Sequence, residues 1–106
     1  MRSFRNQNHQ IDFKALNCAA LPMLPYLCRQ WLPDGKLQGR EWVALNPTRP
    51  DRNKGSFQIN VKTGFWADFA TEAKGGDVVS LYAYLNRCSQ MEAARQLIKL
   101  AGLRHD

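Results

Sequence analysis

The chain has 106 residues, of which 44% are hydrophobic and 23% charged, a size and balance that fit one globular domain with a modest core. No apolar run approaches the roughly 20 residues a membrane helix needs. The polar start "MRSFRNQNHQ" lacks the apolar stretch of a secretory signal, so no membrane partner and a cytoplasmic location are expected. A net charge of +6 favours a polyanionic partner, nucleic acid first.

Cys18, Cys28 and Cys88 are scattered, odd in number and form no C-x-x-C pair, and His9 and His105 lie near the ends. That set suits neither a disulfide framework nor the four converging ligands of structural zinc. Buried thiols in a reducing compartment, with no metal and no cofactor, are the expectation.

Residues 1–10 are polar and expected to be flexible, as termini usually are. Residues 11–106 then form one domain, with helices over 12–32, a sheet over 38–70 and helices over 77–102. Asp12 caps a first helix whose apolar positions are Phe13, Leu16 and Ala19 or Ala20. Pro22 fits the first turn of a second helix carrying Leu24, Leu27, Cys28, Trp31 and Leu32, with Pro25 still inside the opening turn. "LPDGK" stops it.

"GREWVALNP" reads as one strand, and "NPTRPDRNKG" as a loop with the cations Arg49, Arg52 and Lys54. Phe57, Ile59 and Val61 alternate with Ser56, Gln58 and Asn60, the period of a half-buried strand. "VKTG" turns the chain, with Gly64 at a positive φ. On the return strand Phe65, Ala67 and Phe69 share one face, expected to be the core face, and Trp66 and Asp68 share the other. A three-stranded antiparallel sheet follows. Asp77 caps a helix bearing Val78, Leu81, Tyr82 and Leu85. "SQME" is a capping box, Ser89 to Glu92, opening a helix with Met91, Ala94, Leu97, Ile98 and Ala101 that Gly102 ends.

Residues 46–97 resemble the zinc-ribbon module at the N-terminus of bacterial and phage DNA primases. Ser56, Phe57 and Asn60 match its "SF-x-x-N" strand, Gly75, Gly76 and Asp77 its "GGD" helix start, and Ser89, Glu92 and Ala93 its closing helix. The departures fall on the metal ligands. Asn46, Pro47, Thr48 and Arg49 stand where the family has Cys-Pro-x-His. Asp68, with Thr71 or Glu72, stands where it has the second cysteine pair. The phrase "WADFAT" is similar to one in metal-free versions from plasmid and phage primase-helicases. The resemblance therefore implies an α+β, zinc-ribbon-like, metal-free three-stranded sheet packed with N- and C-terminal helices. It further implies an N-terminal domain of a replication protein, or a stand-alone copy. A structural zinc contributes on the order of 10 kcal/mol to folding. The rings of Phe57, Phe65, Phe69 and Trp42 are the expected substitute.

The family module grips single-stranded template, while polymerising chemistry sits in a separate fold. Single strands are bound by cations for phosphates and flat side chains for bases. The candidates are Arg40, Arg49, Arg52, Lys54, Lys62 and Lys74, with Trp66 as stacking platform and Gln58 and Asn60 for base edges. Trp66 packed beneath one of the N-terminal helices, and the loop cations as a merely solvated surface, are the alternatives. No carboxylate cluster, histidine-based triad or phosphate loop supports catalysis by the chain. The expected function is a non-catalytic, single-stranded DNA-binding module of a primase or primase-helicase. The alternative is a docking domain that recruits a primase or helicase without touching DNA.

Overall fold

The computed structural model describes residues 11–100; the expected flexible N-terminus, Ala101 and the Gly102 stop lie outside the described residues. Helix α1 (Phe13–Ala20) starts where Asp12 accepts the Ala15 N–H at 3.0 Å. One 3-10 turn, Leu21–Met23, holds Pro22, and Pro25 lies in the first turn of α2 (Leu24–Trp31), where a missing N–H leaves no helical bond unmade. Leu32 departs from helical geometry immediately before Pro33, whose ring disfavours a helical residue ahead of it.

Among the described residues the sheet has five strands rather than three, spanning 36–75 rather than 38–70. They are β1 (Lys36–Gln38), β2 (Glu41–Ala44), β3 (Phe57–Asn60), β4 (Trp66–Asp68) and β5 (Ala73–Gly75), an antiparallel meander in chain order. Gly39 at φ 64° turns β1 into β2, and Gly64 at φ 86° closes the β3–β4 hairpin as expected. Asn60 fixes that hairpin, its carboxamide oxygen accepting the N–H groups of Lys62 and Thr63 at 2.9 and 3.1 Å.

Helix α3 (Val78–Asn86) begins with a reciprocal box between Asp77 and Ser80, and α4 (Gln90–Leu100) begins where Ser89 Oγ accepts the Glu92 N–H. The Glu92 side chain turns along α4 to Gln96. Met91, expected to point inward, is exposed. Among the described residues, the helices pack on one face of the sheet. There Leu16, Leu24, Leu27, Leu81 and Leu97 bury against Phe57 and Ile59. Asn17 Oδ1 accepts the Val79 N–H at 2.9 Å, locking α1 to α3.

Strand β4 presents the opposite face from the one expected. Trp66 and Asp68 are 5% and 0% exposed, whereas Phe65 and Phe69 are 64% and 69% exposed. The register explains the choice. Trp66 lies opposite Ile59, and Asp68 opposite Phe57, both in the core. Trp66 stacks at 4.7 Å on Tyr84 of α3 and donates its indole N–H to Ser80 Oγ at 3.0 Å. The buried ring cluster is Phe57, Trp66 and Tyr84, with Trp42 buried nearby in β2, whereas Phe65 and Phe69, expected within it, lie outside.

Candidate nucleic-acid interface

A buried ion-pair corner fixes one end of the sheet. Asp68 Oδ2 accepts from Asn46 Nδ2 and Arg49 Nε, each at 2.7 Å. Its Oδ1 accepts from the Ala70 N–H at 2.9 Å and from Arg49 Nη2 at 3.3 Å. Four donors thus meet the roughly four lone-pair sites of a carboxylate. The corner extends outward. Asn46 Nδ2 also reaches Tyr84 Oη at 2.8 Å, Arg49 Nη2 reaches Ser56 Oγ at 3.0 Å, and Asp51 accepts the Asn46 N–H at 2.9 Å. The Arg49 hydrogen bond holds the Asp68 carboxyl well below the usual range against the opposing effect of burial, with Asn46 and the Ala70 N–H assisting. Arg49 is correspondingly pushed up by Asp68. The 45–56 loop is thereby fastened down, and Arg87 Nη2 ties it to the end of α3 through the Thr48 carbonyl.

The other face of the sheet carries no helix among the described residues. One row of this face runs Lys36, Val43, Gln58, Ala67, Lys74 across all five strands, with an exposed lysine at each flank and Val43 buried among its neighbours. A neighbouring row runs Gln38, Glu41, Asn60, Phe65. On the far side Phe69 donates its N–H to the Ser56 carbonyl at 2.9 Å. Phe65 and Phe69 therefore stand roughly 13 Å apart by strand rise, with the small Ala67 between them. A shallow groove of about 380 Å³ lies there, lined by both rings, Ala67, Gln58, Glu41 and Lys74.

Of the residues expected to bind, Gln58, Asn60 and Lys74 line this groove. Arg40 and Lys62 are exposed at one end of the sheet, where the Arg40 carbonyl accepts the Val61 N–H at 2.9 Å. Arg52 and Lys54 are exposed on the long loop. Two assignments change. Trp66 is interior and offers no stacking surface, and Arg49 is spent on Asp68 and Ser56. Phe65, Phe69 and Lys36 are the additions. Alternation puts both phenylalanines on one face of β4; that face points to solvent rather than to the core.

Cys18, Cys28 and Cys88 are all free; Cys28 is buried as expected, which pushes its thiol up to about 12, but Cys88 is only half-buried and Cys18, on α1, is exposed. No helix among the described residues is long and apolar enough to cross a membrane. No family model, curated protein or solved structure matches the chain.

Proposed function

We propose that the chain is a non-catalytic module that holds single-stranded DNA on the open face of its sheet, as a metal-free relative of the primase zinc ribbon. The observation that carries this reading is the pair of exposed phenylalanines on that face, with a lysine at each flank and a small floor between them. Exposed aromatics on an open sheet are a recurrent platform for unpaired bases, whose π-faces stack on the rings. The cations at the sheet edges, turns and loop supply the phosphate contacts.

Relationship to the primase ribbon is supported by the ion-pair corner. Its three central side chains, Asn46, Arg49 and Asp68, stand where the resemblance places ligands of the lost metal. Three free thiols suit the reducing cytoplasm, where we place the protein.

The test is a titration of fluorescent single-stranded oligonucleotides at two salt concentrations. Affinity should fall steeply as salt rises. F65A and F69A should each lower it by about fivefold to a hundredfold, the worth of one stacked base. Both substitutions leave the core untouched, so the melting temperature should hold. Absence of binding at low salt refutes the reading and favours the docking alternative, in which the same phenylalanines anchor a primase or helicase protein.

A further inference from the structure

Glu41 is the one acidic side chain lining the groove between Phe65 and Phe69. Its place is unusual on a face otherwise flanked by lysines, since a carboxylate there repels the backbone phosphates of a bound strand. No ion pair among the described residues engages it. Glu41 stands directly across the β2–β3 ladder from Asn60, and Asn60 across the next ladder from Phe65. The carboxylate is therefore in the same row as one of the two stacking rings.

The polar groups of that row differ in what they still offer. The Asn60 carboxamide oxygen is used twice on the hairpin turn, so the group left is its amino end, a donor. A carboxylate can only accept. The row thus pairs an acceptor with two oxygens and an adjacent donor. An unpaired guanine presents the complement along its pairing edge: two neighbouring donors, N1–H and the 2-amino group, followed by the O6 acceptor. Thymine and uracil present a single donor between two carbonyl oxygens, which would confront the carboxylate. Cytosine and adenine each offer one amino donor beside an acceptor.

We infer that Glu41, with Asn60, makes the open face selective for guanine stacked on Phe65, against thymine or uracil. This rests on the single-strand reading above, because the same edge is occupied by the partner base in a duplex.

Three labelled oligonucleotides decide it at low salt: all-thymine, the same with one central guanine, and the same with inosine, which lacks the 2-amino group. The wild-type protein should bind the guanine strand about tenfold more tightly than the thymine strand, with inosine between, in line with a bidentate base contact. E41Q preserves shape and fold but removes the double acceptor and its charge, and should abolish the preference, with the affinity for all-thymine rising toward that for the guanine strand. Equal affinity of the wild type for the three strands overturns the inference, as does a guanine preference that survives E41Q. In either case the platform reading stands if the strands bind and F65A weakens them. No binding of any strand overturns both.

Discussion

Asp68 has no exposed surface, and the side chains that keep it ionised, Arg49 and Asn46, lie 19 and 22 residues earlier in the chain. Buried ion pairs add little net stability against a well-packed apolar alternative, yet removing one partner strands the other. D68N should therefore destabilise the fold by about 3–5 kcal/mol, read as a drop in the urea midpoint. Because the folded carboxyl lies below its unfolded value, its contribution is complete above about pH 5 and is lost as the pH falls toward the folded value. The wild-type urea midpoint should decline below about pH 4 more steeply than that of D68N. Trp66 divides stability from binding. W66A should cost about 3–5 kcal/mol through its cavity, whereas W66F, which loses the bond to Ser80 but keeps a ring, should leave DNA affinity unchanged. A reduced affinity in folded W66F would show that the indole meets the ligand after all. This inward pair was hard to read from sequence. Alternation fixed which residues share a side of β4, but the partners that make a buried aspartate tolerable are not its neighbours in the chain.

At the level of elements, β4 and β5 are held in contact by an absence of side chain. A Cβ at Gly75 would run into the Trp66 indole nitrogen, and would lie 2.6 Å from Ser80 Oγ. The ring is fixed by Tyr84 and cannot withdraw. G75A should thus lower stability by about 1–3 kcal/mol, measured by thermal melting, as overpacked cores do. G39A, at a position open to solvent, should cost only its left-handed backbone. The long elements were legible because their signals are local: Asp12, Asp77 and Ser89 each cap the helix expected of them. The edge strands were not. "KLQ" and "AKG" have three residues each, without alternation, and none of the three residues of β5 favours a strand. They are strands because β2 and β4 offer them hydrogen bonds, and Glu72, held at φ 66°, turns the chain back for the second pairing.

For the molecule as a whole, the rigid corner between loop, sheet and α3 is made from protein groups alone. The Asp68 oxygens are saturated by nitrogen donors, one of them a guanidinium that repels a cation. A strong chelator should accordingly leave the melting temperature of the purified protein where it was. A fall on adding chelator would refute the idea that these side chains stand in for an ion. The α+β class and the two flanking helical regions were readable from pattern and punctuation. The open platform was readable only as a candidate, since which face the helices cover depends on packing that joins α1 to α3 across 62 positions.

The order of the strands has a kinetic corollary. Each strand of the meander pairs only with its immediate predecessor and successor, so every sheet contact can form by closing a short stretch of chain. Short closures carry small entropic barriers, and proteins dominated by them assemble quickly. The slow step is then left to the long-range clasps, above all α1 settling onto α3 and α4, after the sheet has already zipped.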